Sequence, residues 1–227
     1  MDYPGKELEI FDTAKIFQKY VFLNIKKYLN DNVCEIGAGL GSFSRNYTNK
    51  FKNITLTDLD KNNYLALKKN FSNLRRVSIY QKKISSIKKK FNSIIYLNVL
   101  EHIKKDRKEI SIASSKLKKN GYLIILVPAH QKLYTRFDKE IGHCRRYDIN
   151  FFRKKIPNLK LEKLVYLDMV GYFLYFLNKI FFKEEVYPSN LKVFLWDKIF
   201  TPITILMDFL TGYKFGKNIL CVYKKIK

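Results

Sequence analysis

Residues 33–41 read Val33-Cys34-Glu35-Ile36-Gly37-Ala38-Gly39-Leu40-Gly41, an apolar segment that runs directly into three glycines at alternate positions. The apolar residues predict a buried strand, and Ser42-Phe43-Ser44 could begin a helix. Glycine allows positive φ and lets a ligand approach the backbone without a Cβ in the way. A strand, a glycine turn and a helix N-terminus together form a cradle of nucleotide size. We therefore expect this segment to bind a ligand that contains a nucleotide.

The glycine spacing separates this turn from the common dinucleotide-binding fingerprint. That fingerprint is G-x-G-x-x-G, whereas here its third glycine position holds Ser42 and the glycine comes one residue early. An acid, Glu35, stands two residues before the first glycine. The pattern E-x-G-x-G-x-G resembles motif I of the class I S-adenosylmethionine (SAM) methyltransferases. The resemblance implies that Glu35, Gly37, Ala38 and Gly39 belong to a cofactor site.

Strands and helices alternate along the chain up to residue 127, which predicts a parallel sheet with helices on both faces. Apolar runs predict seven strands, at residues 33–36, 53–57, 76–80, 93–98, 122–127, 159–167 and 219–223. We expect an α/β fold with a seven-stranded, mostly parallel, Rossmann-like methyltransferase sheet and a helical cap inserted before the last strand.

Four regions are predicted along the chain: an N-terminal helix in residues 1–30, a SAM-binding α/β core in 31–167, a helical cap in 168–215 and the final strand of the core in 216–227. Apolar residues at helical spacing predict one amphipathic helix over residues 8–29. A further helix is expected from Ser42.

In an open parallel sheet the ligand lies at the carboxyl ends of the strands. Asp58 follows the second predicted strand, where a carboxylate can accept hydrogen bonds from both ribose hydroxyls of an adenosine. We assign Asp58 and its neighbour Leu59 to the cofactor site. The alternative role for such an acid, as the N-cap of a helix, suits Asp60 better.

The segment Asn98-Val99-Leu100-Glu101-His102 ends the fourth predicted strand. It resembles the VLEH motif found in many small-molecule methyltransferases of this class. The resemblance implies that Asn98, Val99 and His102 line the cofactor beside the transferred methyl group. A strand end that continues into a helix would explain the apolar residues but not the polar ones.

A polar block follows the fifth predicted strand and resembles one found in a subgroup of bacterial class I methyltransferases. Its residues are Val127-Pro128-Ala129, Leu133-Tyr134, Phe137-Asp138, Ile141-Gly142-His143 and Arg145-Arg146-Tyr147. We predict His143 and Tyr147 as catalytic residues, and Tyr134, Arg145 and Arg146 as substrate-binding residues.

The chemistry of the block suits an acceptor site. The planar guanidinium of arginine binds carboxylate or phosphate through two hydrogen bonds, and histidine changes charge near neutral pH, so His143 could take a proton from an acceptor. The alternative is a structural network, in which an arginine pairs with Asp138, Glu140 or Asp148.

These motifs predict an enzyme that transfers a methyl group from SAM, which becomes S-adenosylhomocysteine, to oxygen or nitrogen of a small acceptor, including an anionic or a lipid- or sugar-linked one. A nicotinamide-dependent oxidoreductase is the alternative on a similar sheet. The glycine spacing and the absence of a Tyr-x-x-x-Lys pattern argue against it.

The formal net charge is +24, from 44 Lys and Arg against 20 Asp and Glu. Such a charge suits nucleic acid or an anionic membrane, which leaves a charge-driven binding module as a further alternative. The lysines are scattered, which indicates a compositional bias and does not favour a nucleic-acid partner. Peripheral membrane contact through the cap could use Phe173, Phe176, Phe181 and Phe182, although these aromatics could equally form core or a dimer face.

The three cysteines fit no zinc motif, and their odd number argues against a disulfide framework. We therefore expect no metal site and a cytoplasmic location with possible membrane association. No signal peptide and no apolar run of about 20 residues is found. The sequence does not indicate the oligomeric state.

Overall fold

The computed structural model of the protein describes residues 6–181 and 187–227. Within them, seven strands form one sheet in the order β3-β2-β1-β4-β5-β7-β6. The strands are β1 Asn32–Ile36, β2 Asn53–Thr57, β3 Val77–Tyr80, β4 Phe91–Leu97, β5 Leu117–Pro128, β6 Leu159–Leu167 and β7 Asn218–Lys225. Strand β7 runs antiparallel to β5 and β6, and the other pairs are parallel. The predicted seven-stranded, mostly parallel α/β sheet is confirmed.

Helices cover both faces of the sheet. They are α1 Lys6–Asp12, α2 Lys15–Ile25, α3 Lys61–Phe71, α4 Asp106–Ser115, α5 Arg136–Glu140, α6 Asn150–Arg153, α7 Met169–Phe181, α8 Asn190–Leu195 and α9 Thr201–Leu210. A π-helical turn, Trp196–Phe200, joins α8 to α9. Helices α7 to α9 thus lie between β6 and β7. None of the helices in the described ranges is both long and apolar enough to cross a bilayer.

The central strands bury side chains on both faces, as their near-continuous apolar sequences predict. Cys34, Ile94 and Ile125 pack into the core on one face of the sheet. Val33 and Ile95 adjoin Cys34 and Ile94 in the same strands, and they pack into the core on the other face. Alternation along each strand therefore builds two cores that hold the carboxyl ends of the strands in fixed positions.

Two predicted helices were wrong. The helix expected over residues 8–29 is interrupted between α1 and α2, where the Thr13 hydroxyl donates to the Ile10 carbonyl at 2.8 Å and competes with the helical pattern. The helix expected from Ser42 is only a 3-10 turn, Ser44–Asn46, in which the Ser44 hydroxyl donates to the buried Glu35 carboxylate. Phe182 lies outside the described residues.

Candidate functional site

A cavity of about 1560 Å³ lies at the carboxyl ends of the central strands. The glycine turn, the ends of β2 and β4, and residues from α1, α7 and α8 line it. Sites for one small ligand measure roughly 300–1,000 Å³, so this cavity has room for two. The predicted site residues that line it are Glu35, Gly37, Ala38, Gly39, Asp58, Leu59, Asn98, Val99, His102, His143 and Arg146.

The glycine turn depends on the absence of side chains. Gly37 and Gly39 have φ of 64° and 55°, values that side-chain-bearing residues rarely adopt. A Cβ on Gly37 would lie 2.6 Å from Cγ2 of Val99, so the turn touches the end of β4. The turn therefore exposes its backbone to the cavity only while these positions remain glycine.

Asp58 is fixed against the turn by its own carboxylate. Its Oδ2 accepts the Gly39 backbone N–H at 2.9 Å, and its Oδ1 accepts the Asp60 N–H at 2.9 Å. Burial raises the pKa of Asp58, although the backbone hydrogen bonds oppose this. Each oxygen keeps a second lone pair, which suits a ribose diol. Asp60 instead accepts from Asn63 N and caps α3, as predicted.

Glu35 is a buried brace for the segment that follows the glycine turn. Its Oε2 accepts hydrogen bonds from the Ser44 hydroxyl at 2.6 Å and from the Tyr47 hydroxyl. Burial raises the pKa of Glu35 to about 7, against the effect of these hydrogen bonds. Glu35 therefore fixes the segment that follows the glycine turn through these two hydrogen bonds.

The end of β4 is held in an unusual conformation that directs the next residues into the cavity. Asn98 has φ of 52°, a left-handed conformation that asparagine tolerates better than most residues, and its N–H donates to Leu126 O at 2.9 Å. This turn places Val99 against Gly37 and His102 at the cavity wall. Burial and the neighbouring His143 lower the pKa of His102 to about 4.

A buried carboxylate organises a cluster of polar side chains at the cavity wall. Asp138 Oδ1 accepts from His143 Nδ1 at 2.8 Å and from Arg146 Nε at 2.9 Å, while Oδ2 accepts the Thr135 N–H at 2.9 Å and the Tyr175 hydroxyl at 3.2 Å. Burial opposes ionisation of Asp138, but the hydrogen bonds from His143 and the charge of Arg146 lower its pKa to about 2. An ionised Asp138 thus fixes both cavity-lining side chains.

Glu101 is fully buried next to the imidazole of His143. Its Oε1 is 3.7 Å from His143 Nε2, and among the described residues neither Glu101 oxygen nor Arg146 Nη1 has a hydrogen-bond partner. Glu101, His102 and His143 offer ligand atoms within 4.8 Å of one another, the arrangement a metal ion would require. Burial raises the pKa of Glu101 to about 8, and a metal ion bound there would displace that proton.

Three predicted site residues do not line the cavity. The Tyr134 hydroxyl donates to the His143 carbonyl at 2.7 Å, and Arg145 Nη1 pairs with Asp106 at 2.8 Å. Tyr147 is buried in the core, with its hydroxyl 3.0 Å from Asp106. These side chains stabilise the loop after β5 through hydrogen bonds to the protein and do not face the cavity. Arg145 thus fits the structural alternative, with a different acid as its partner.

Helix α1 supplies residues that the sequence analysis did not identify. The Asp12 carboxylate accepts from the Ser42 hydroxyl and from Arg45 Nη1, the latter at 2.6 Å, and so holds α1 over the glycine turn. A Cβ on Gly39 would lie 3.3 Å from Leu8 Cδ1. No local pattern marks Asp12, because its partners lie about thirty residues further along the chain.

The comparison with protein families gives one match. Residues 11–155 fit a family model described as a methyltransferase domain, and they include the glycine turn and the Asp138 cluster. No curated protein matches the chain by sequence.

Solved structures share the fold at low sequence identity. A SAM-dependent methyltransferase from Clostridium acetobutylicum has a TM-score of 0.64 and 15% identity, with 98% of each chain covered. Coclaurine N-methyltransferase bound to N-methylheliamine and S-adenosylhomocysteine has a TM-score of 0.63 and 14% identity, covering 92% of this chain and 72% of that one. The N-methyltransferase NodS from Bradyrhizobium japonicum, in complex with S-adenosylhomocysteine, has a TM-score of 0.59 and 13% identity, covering 100% and 90%.

Proposed function

We propose that this chain, which belongs to the methyltransferase domain family, transfers a methyl group from SAM to oxygen or nitrogen of a small acceptor. One observation carries the proposal: a single cavity is lined both by the glycine turn with Asp58 and by His143 and Arg146, which Asp138 holds. The first set suits a nucleoside, and the second suits a polar acceptor.

The residues present fit SAM. Asp58 offers two carboxylate oxygens for the ribose hydroxyls, and Gly37 and Gly39 leave the space that a Cβ would fill. The segment from Gln81 to Ile84 lines the same cavity beyond the end of β3, where the adenine would lie. Structural neighbours crystallised with S-adenosylhomocysteine support the same ligand. When bound, SAM supplies a methyl group already activated by its sulfonium.

The protein's own residues then have three tasks: to hold the acceptor atom in line with the methyl group, to exclude water and to remove a proton where the acceptor carries one. His143 suits the last task. Its Nδ1 is held by ionised Asp138, so its Nε2 is left to accept a proton. Arg146 shares the same carboxylate and lines the cavity, where its Nη1 can donate to an acceptor oxygen.

Isothermal titration calorimetry with SAM and S-adenosylhomocysteine tests the donor site. We expect one binding site per chain, weakened at least tenfold by Asp58→Asn. Asp31→Asn is a matched control, because Asp31 is exposed and pairs only with exposed Lys52. Absence of binding by folded protein would contradict the proposal, and binding of NADH instead would favour the oxidoreductase alternative.

A further inference from the structure

Helix α9 buries polar side chains and exposes apolar ones, the reverse of an ordinary surface helix. Its buried residues are polar: Thr204 donates to Asp168 Oδ1 at 3.2 Å, and Asp208 accepts the Tyr20 hydroxyl at 2.7 Å. Its exposed residues are apolar: Ile203, Leu206, Phe209 and Leu210 are 45% to 69% exposed. Surface helices normally place polar residues outward, so this helix is suited to an apolar neighbour.

Helix α7 packs beside α9 and continues the exposed apolar surface. Four apolar residues of α7 lie at positions i, i+3, i+4 and i+7, on one face of the helix, and are each 42% to 49% exposed: Phe173, Phe176, Leu177 and Ile180. We call the exposed apolar faces of α7 and α9 the apolar cap surface. Twelve of the seventeen exposed large apolar side chains in the described part of the protein lie between residues 173 and 210. Patches of this kind mark interaction sites.

Among the described residues of 168–217, the exposed charged side chains are all lysines. In the described residues of 168–217, the acids Asp168, Asp197 and Asp208 are each at most 1% exposed. Lys198 and Lys214 are exposed in the same segment. The whole chain carries a net charge of +24. This arrangement suits an anionic partner and opposes a second copy of the same chain, because two such surfaces would repel each other.

We propose that the apolar cap surface docks on an anionic lipid bilayer. The combination of exposed Phe, Leu and Ile with surrounding lysines is that of an interfacial helix, which lies in the headgroup region without crossing the membrane. Since Asp208 accepts the backbone N–H groups of Asp168 at 2.8 Å and Met169 at 3.0 Å, its buried carboxylate ties α9 to the start of α7. The polar interior therefore holds the two apolar faces outward.

Helix α7 contributes to both the apolar cap surface and the cavity. This connection indicates which class of acceptor the cavity would receive. Leu177 belongs to the apolar cap surface and also lines the cavity, beside Leu174 and Tyr175. A docked cap would place the cavity mouth at the membrane interface. The acceptor is then an amphiphile, with its polar group at Arg146 and His143 and its apolar part in the bilayer. This statement of the acceptor rests on the proposed function.

Vesicle flotation tests the docking. We expect binding to vesicles of phosphatidylcholine and phosphatidylglycerol at 3:1, and at least tenfold less binding to phosphatidylcholine alone. Leu206→Ser with Phe209→Ser should reduce binding at least tenfold, since both side chains are exposed and their loss leaves the core intact. Leu65→Ser is the control, because Leu65 is 51% exposed on α3 and lies outside the cap; its binding should equal that of the original chain.

Other outcomes would overturn the proposal. No binding to anionic vesicles excludes it, and so does binding that the Leu206→Ser/Phe209→Ser double variant leaves unchanged. A concentration-dependent dimer in analytical ultracentrifugation, abolished by the double variant, would assign the surface to a second copy. S-adenosylhomocysteine titration separates the two proposals: failed docking with intact nucleoside binding contradicts only the membrane surface. Tritiated methyl recovered in water-soluble products, and absent from lipid, would contradict the acceptor class.

Discussion

His143 Nδ1 lies 2.8 Å from Asp138 Oδ1, and this contact fixes the orientation of the imidazole at the cavity wall. Hydrogen bonds from His143 and the charge of Arg146 lower the pKa of Asp138 to about 2, so its ionised carboxylate holds His143 through Nδ1 and leaves Nε2 on the far side of the ring. The same carboxylate also orients Arg146. One buried acid therefore positions both a proton acceptor and a cation.

We expect His143→Asn to reduce methyl transfer by roughly 10²–10⁴-fold, the usual contribution of a general base. The affinity for S-adenosylhomocysteine should stay within about twofold, because Asp58 and the glycine turn are untouched. Transfer of tritiated methyl to a lipid extract measures the first quantity, and calorimetry the second. His130→Gln is the control, since the His130 ring stacks on Tyr166 and its Nε2 lies 3.0 Å from the Gly216 carbonyl, not at Asp138. Equal activity in both variants would remove His143 from the mechanism.

The two adjacent arginines should behave differently. Arg146→Ala leaves Asp138 with a buried, poorly paired charge, and loss of one partner of such a pair costs about 3–5 kcal/mol in the free energy of unfolding. Arg145→Ala removes a half-exposed pair with Asp106, which is worth no more than about 1 kcal/mol. Urea unfolding measures both. A larger loss for Arg145→Ala would mean that the Asp138 network is not the stronger one.

Glu35 should make stability depend on pH. Its folded pKa of about 7 exceeds the ordinary 4.5 because of burial. The folded state therefore keeps a proton that the unfolded chain releases, so this contribution is complete below pH 4.5 and is lost as pH rises to 7, by on the order of 3 kcal/mol. Glu35→Gln removes this titration.

Urea unfolding from pH 4 to 8 measures the effect as the difference between the original chain and Glu35→Gln, in which other titrations cancel. The variant should gain relative stability up to pH 7 and then show a constant difference. Glu140→Gln is the control, because Glu140 is exposed and pairs with exposed Arg136. A flat difference for Glu35→Gln would show that the pKa of Glu35 does not change on folding.

A chelator should leave the enzyme unchanged. Burial raises the pKa of Glu101 to about 8 and Asp138 already holds His143 Nδ1, so a divalent ion would have to displace the Glu101 proton to bind this cluster. Dialysis against EDTA should alter neither methyl transfer nor S-adenosylhomocysteine affinity. One tightly bound metal per chain by elemental analysis, lost in His143→Asn, would show the opposite.

The sequence predicted what depends on local pattern and left out what depends on distant contacts. The seven strands, the glycine turn and the position of Asp58 follow from apolar runs and from residues within one strand–turn unit. The partners of Asp12 and Asp208 come from elements far along the chain, so no spacing marks them. Arg145 and Tyr147 lie in the same loop as His143 and Arg146, but both side chains turn toward Asp106, which the motif does not include.

The last prediction concerns the glycine turn. Gly37→Ala should weaken S-adenosylhomocysteine binding at least tenfold, because its Cβ would lie 2.6 Å from Val99 and push the turn away from β4. Gly212→Ala is a matched control: its φ of 61° is similar to the 64° of Gly37, but the nearest atom that its Cβ would meet, Lys214 Cε, is 4.0 Å away. Both should lose about 1–2 kcal/mol of stability from the left-handed backbone, measured by urea unfolding. Only Gly37→Ala should change the calorimetric affinity, and equal affinities would show that the turn does not contact the nucleoside.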